Sequence, residues 1–167
     1  MNYVEGVERF SELVAGRADW PRPWVFLAGG ITDCPDWQQD LRRLLAGGPG
    51  TMLNPRRANF PIHDPNAAKE QITWEFLALN QADVFSMWFS DGPSVQPICM
   101  YELGRHLARW ETKQITSLKV CIGVEPGYSR EQDVRIQSAL VGNFKIATTL
   151  EEHAENILKQ MEELVGE

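Results

Sequence analysis

Short apolar runs alternate with amphipathic stretches along this chain. WVFLAG (Trp24 to Gly29) is rich in strand formers and ends in paired glycines. PDWQQDLRRLL (Pro35 to Leu45) then places Trp37, Leu41, Leu44 and Leu45 at helical spacing, and AGGPG ends it. TMLNP is a second short strand, closed by Pro55. Arg56 to Asn66, with Pro61 and Pro65, reads as an irregular surface loop. Lys69 to Ala82 has helical periodicity, DVFSMWF is an apolar strand, and Gln96 to Trp110 is the next helix. LKVCIGV is a strand. Ser129 to Gly142 is a helix with a candidate Ser129/Gln132 capping box. NFKIA is a last short strand, and LEEHAENILKQMEEL is a closing acidic, amphipathic helix. Tyr3 to Gly16 is a candidate helix within an N-terminal extension, residues 1–22.

Strands separated by helices predict an α/β fold with a parallel sheet. Right-handed crossovers place helices on both faces. The expectation is a single doubly wound (flavodoxin-like) five-stranded parallel sheet in the order 2-1-3-4-5. Ligands in such sheets bind beyond the carboxyl ends of the strands. That rule singles out GGITDCPD, SDGPSVQP and EPGYSR.

A length of 167 residues fits one domain, 1–167, able to bury a core without metals or disulfides. The net charge of −7 opposes broad nucleic-acid binding. Cys34, Cys99 and Cys121 are scattered, which fits free thiols in a reducing compartment. No apolar run suits a bilayer span, and MNYVEGVERF lacks the features of a signal peptide. A cytoplasmic location is the expectation, with no membrane and no nucleic-acid polymer as partner.

Five places hold candidate chemistry. Gly29 and Gly30 permit close approach of a ligand to backbone N–H groups, or simply form a tight turn. Asn54, Arg56 and Arg57 follow the second strand, where guanidiniums hold an anion or stay solvated. Asp83 opens an apolar strand; it is either a strand-end cap or a functional carboxylate. Trp88 ends that strand, as core or as a stacking surface for a base. Glu102 lies in QPICMYELGRH, in a helix that Pro97 can begin and Ser94 or Gln96 can cap. Ile98, Tyr101, Leu103 and Leu107 suggest a well-covered helix. Its dipole favours an ionised Glu102, a carboxylate suited to attack a sugar carbon. A surface pair with Arg105, His106 or Arg109 is the alternative. His63, His106 and His153 show no metal-ligand spacing, and no Ser-His-Asp arrangement is visible. No cofactor is implied.

FLAGGITDCPDWQ, LNPRR, EQITWEFLALNQADVFSMWF, QPICMYELGRH and VEPGYSREQDVRIQSAL, in that order, resemble the nucleoside 2-deoxyribosyltransferase-like family. The resemblance runs from about Trp24 to the final helix. It implies the same doubly wound sheet and cleavage of an N-glycosidic bond in a nucleoside or nucleotide. Glu102, in the ELG motif, would hold the sugar covalently until a second base or water takes it. Asp83 would handle the proton or orient the site, and Gly29 and Gly30 would form its floor. Gln96 stands where the family's transferases carry a sugar-binding aspartate, and Asp91 is out of register with it. The terminus MEELVGE lacks the aromatic ending of those enzymes. The Arg56-Arg57 pair is reminiscent of related nucleotide N-glycosidases. A homo-oligomer, dimer or larger, is expected from the family and from Trp74 and Trp110. A silent nucleotide-sensing module and an NAD-cleaving glycohydrolase are the alternatives.

Overall fold

The computed structural model describes residues 1–61, 63–114 and 117–166. Ile62, within the segment read as a loop, lies outside the described residues. In chain order the elements are β1 (Asn2–Glu5), α1 (Phe10–Val14), β2 (Trp24–Gly29), α2 (Trp37–Leu45), β3 (Thr51–Asn54), α3 (Ala67–Gln81) and β4 (Val84–Phe89). Then come α4 (Pro97–Glu111), β5 (Lys119–Val124), α5 (Glu131–Val141), β6 (Ile146–Ala147) and α6 (Leu150–Gly166).

The sheet has six strands, not five, in the order β1-β3-β2-β4-β5-β6. Every neighbouring pair is parallel. The strand missed in the sequence is β1. Tyr3 to Gly16 is therefore not one helix: Asn2–Glu5 pairs with Thr51–Asn54, and only Phe10–Val14 is helical. The reason lies in the sheet edge. Without β1, strand β3 would present unpaired N–H and C=O groups. Beyond that added strand, the order is the expected one.

Side chains alternate along the strands between two core clusters. Trp24, Phe26 and Ala28 of β2 join Phe85, Met87 and Phe89 of β4, with Trp74 of α3 and Leu103 of α4. Val25 and Leu27 join Val84 and Trp88, with Trp37 and Leu41 of α2 and Ile157 of α6. Each fully buried large side chain contributes roughly 1.5–3 kcal/mol.

Three local expectations need correction. The Ser129/Gln132 box does not form. Helix α5 starts at Glu131 with no side-chain cap, because Tyr128 organises the turn through Glu131 N–H to its carbonyl at 2.9 Å. Ile98 and Tyr101 are exposed by 66% and 69%, so only the Cys99–Leu103–Leu107 side of α4 is covered. Trp74 is fully buried, which removes it as a motive for subunit contact. Among the described residues, no helix is long and apolar enough to cross a membrane.

Candidate active site

From β2 the chain goes to β3 on one side and then returns to β4 on the other. The loops after β2 and β4 therefore diverge and leave a crevice at the carboxyl edge. A cavity of about 210 Å³ opens there, above Phe26 and Ala28. Gly29, Gly30, Ser94, Gln96 and Glu102, all singled out in the sequence, line it together. Glu75 of α3 joins them.

The floor requires glycine. Gly29 has φ 152°, and an added Cβ would collide with the Trp88 carbonyl and the Trp37 ring. At Gly30 a Cβ would meet Cys34 Sγ and Gln96 Oε1. Gln96 does not cap α4 with its side chain. Its Oε1 accepts from Gly30 N–H at 3.2 Å and its Nε2 donates to the Ser90 carbonyl at 2.8 Å. The amide thereby ties the loop after β2 to the loop after β4, from a buried position.

Glu102 stands in the second turn of α4 and Glu75 in the middle of α3. Gln71, one turn before Glu75, donates from Nε2 to Glu75 Oε1 at 2.7 Å and to the Pro55 carbonyl at 2.7 Å. Arg105 instead donates to Asn80 Oδ1 at 2.7 Å and lies over the Phe76 ring. His106 is buried and stacked on Phe85, bonded through Nδ1 to the Glu102 carbonyl at 2.8 Å. The surface-pair alternative for Glu102 thus has no counterpart among the described side-chain contacts.

Burial pushes the Glu102 carboxyl up to about 7; the charge of Glu75 adds to this and Arg105 opposes it. The dipole's expected preference for an ionised Glu102 is outweighed, because desolvation disfavours the charged form. Burial also raises Glu75, against the bond from Gln71. Burial lifts the Cys99 thiol to about 12, so it stays protonated and inert. Burial lowers His106 to about 4, so that ring is neutral at pH 7.

Other expected site residues lie elsewhere. Asp83 sits before β4, at the amino edge of the sheet. It pairs with Arg22 at 2.6 Å and accepts from Trp24 N–H at 2.7 Å. The structure does not bring it to Glu102. Trp88 is buried on the opposite face, against His153. Asn54 is buried; its Nδ2 donates to Tyr3 Oη and its Oδ1 accepts from Arg56 N–H. Arg56 donates to the carbonyls of Pro35 and Cys34 at 2.8 and 3.3 Å, clamping the loop after β2. Asn54, Arg56 and Arg57 line a different cavity. Asp91 is exposed, its N–H bonded to Glu125.

Glu75 is the residue that sequence reasoning missed. It is the lone charge between Gln71 and Asn80, in an otherwise apolar helical stretch. A comparison with curated proteins returned no match. The pattern described as "Nucleoside 2-deoxyribosyltransferase like" matches residues 22–120, which hold Gly29, Gly30, Glu75, Gln96 and Glu102, and the chain belongs to that family.

Proposed function

We propose that the protein cleaves the N-glycosidic bond of a nucleoside, with Glu102 as nucleophile and Glu75 as proton donor. The observation that supports this reading most is that the two carboxyls share one small cavity and both are raised by burial. Two carboxyls in one cavity, both raised by burial, can share a proton, so that one donates it while the other attacks. A pure binding module gains nothing from that cost.

Glu102, ionised, attacks the anomeric carbon. The C–N bond breaks and the departing base takes the proton of Glu75. The sugar remains as an ester on Glu102. A second base, or water, then attacks the same carbon and gives a proton to Glu75, and Glu102 leaves as carboxylate. Two displacements restore the original configuration. Gln71 orients Glu75, and Gln96 holds the glycine floor beneath the nucleoside.

The charge of the cavity bears on the substrate. Among the described lining residues there is no lysine, arginine or histidine, against two carboxyls. An uncharged nucleoside suits this better than a nucleotide or NAD, whose phosphates would lack a cationic partner. This argues against the phosphorylated substrate that the Arg56-Arg57 pair suggested.

A homo-oligomer is part of the proposal. Ile72, Phe76, Ile98 and Tyr101 are all more than half exposed on α3 and α4, and Ile98 is at the cavity mouth. Apolar surface of this kind marks contact sites. A scattering mass equal to one chain at micromolar concentration would overturn it.

The deciding experiment is incubation with mixed nucleosides and with a 2-fluoro-2-deoxynucleoside. Exchange of bases identifies a transferase and free sugar a hydrolase. The fluorinated sugar should remain on Glu102, visible by intact mass and peptide mapping. Glu102→Gln should lose at least two to three orders of magnitude in rate, roughly 3–4 kcal/mol. Binding of nucleosides without any turnover would favour the sensing module instead.

A further inference from the structure

A second cavity, of about 580 Å³, lies beyond the carboxyl ends of β1 and β3, beside α2. Pro55 lines the Glu102 cavity, and its neighbours Asn54 and Arg56 line this one. The chain after β3 is thus the partition between them. Three guanidiniums, of Arg42, Arg56 and Arg57, face two carboxyls, of Glu5 and Asp36. That local excess of positive charge opposes the overall −7 of the chain.

The carboxyls are already engaged. Glu5 Oε1 accepts from Ala58 N–H at 2.8 Å. Asp36 Oδ1 caps α2 through Gln39 N–H at 3.3 Å and stands 3.7 Å from Arg56 Nε. Arg56 is engaged too, on Cys34, Pro35 and Gln38. The other two arginines stand over aromatic rings, Arg57 at 5.5 Å from that of Phe60, and donate to no acceptor among the described residues. Arg42 Cζ stands 3.6 Å from the centroid of the Tyr3 ring, a cation–π contact, and its N–H groups have no acceptor among the described residues. Arg57 is held by its stem against Gly6, where an added Cβ would approach Arg57 Cγ to 3.1 Å. Its Nη1 is shielded from solvent and has no acceptor among the described residues. A buried N–H of a charged group left without an acceptor is costly. A planar guanidinium fork fits the oxygens of a tetrahedral anion.

We propose that Arg42 and Arg57 form a second binding site, for a phosphate or phosphate-monoester group, distinct from the Glu102 cavity. It stands whether or not Glu102 is a nucleophile.

The test is calorimetric titration at fixed ionic strength, with inorganic phosphate and, separately, with thymidine 5′-monophosphate. Saturable phosphate binding is expected. Arg42→Gln and Arg57→Gln should each weaken it about tenfold or more, while Glu102→Gln should leave it unaltered. Arg57→Lys keeps the charge and loses the fork. It should fold and still bind more weakly, so the proposal remains testable if Arg57→Gln does not fold. Equal affinities for the two probes identify free phosphate as the ligand class, and tighter arginine-dependent binding of the monoester identifies a phosphorylated metabolite. The proposal is overturned if neither probe saturates, if the arginine variants bind as the wild type does, or if Glu102→Gln alone abolishes binding.

Discussion

Gln96 Oε1 accepts the N–H of Gly30 at 3.2 Å while its Nε2 donates to the Ser90 carbonyl at 2.8 Å. One side-chain amide thus joins the two loops that enclose the candidate site. Gln96→Leu fills similar space and leaves both backbone groups without partners. The expected cost is about 1–3 kcal/mol of stability, read by chemical denaturation. Gln96→Asp is too short to span the gap and sets a negative charge against the Ser90 carbonyl. It should be no more stable than the leucine variant. An aspartate at 96 that raises stability would count against the bridging role.

Gln71 holds Glu75 and Pro55 through a single Nε2, each at 2.7 Å. Gln71→Leu removes the bond that favours ionised Glu75, so the Glu75 carboxyl should titrate at higher pH than in the wild type. Under the proposed mechanism, with Glu75 as the acid, the alkaline limb of the rate profile should shift upward as well. A profile that only scales down, with its limbs in place, would show that Gln71 acts on folding alone.

Much of the sheet was legible because buried parallel strands are short apolar runs that helical periodicity separates. β1 was not, because its sequence is polar at Asn2 and Glu5 and its value lies in covering the edge of β3, a relationship between distant segments. Glu102 stood out as a carboxylate in a helical turn whose neighbours suit a buried face. Glu75 carries the same signal, but the family resemblance assigns proton handling to Asp83. The rule that places ligands beyond the carboxyl ends of strands speaks against Asp83, which precedes β4 and so sits at the amino edge. Arg56 followed a strand at the correct edge, but backbone carbonyls of a neighbouring loop take its donors. Partners of that kind are visible only in three dimensions.

Asp83 should behave as a structural residue. Its carboxylate meets Arg22 at 2.6 Å and accepts the Trp24 N–H at 2.7 Å, which joins the starts of β2 and β4. Asp83→Ala leaves that N–H unpaired and should lower stability by about 1–3 kcal/mol. Turnover measured well below the unfolding temperature should stay within a few-fold of wild type. A loss of several orders of magnitude in a folded Asp83→Ala protein would return Asp83 to the chemistry.

Glu102 should make the folded state weaker as pH rises. Its carboxyl has an ordinary value of 4.5 and is lifted to about 7, first by burial and then by Glu75. A raised acid favours the protonated form in the folded protein. Its stabilising contribution is therefore complete below pH 4.5 and disappears as pH rises through about 7. Glu102→Gln is always neutral and escapes this loss. Relative to wild type it should gain about 1–2 kcal/mol between pH 4.5 and 8, a figure reduced for the half-buried side chain. Glu75→Gln removes the like charge and should bring the Glu102 titration below 7. Denaturation curves across pH for the wild type and both variants, with NMR titration of labelled glutamate carboxyls, measure both effects. A Glu102→Gln protein whose stability runs parallel to wild type over this range would mean that the carboxyl is solvated and not desolvated.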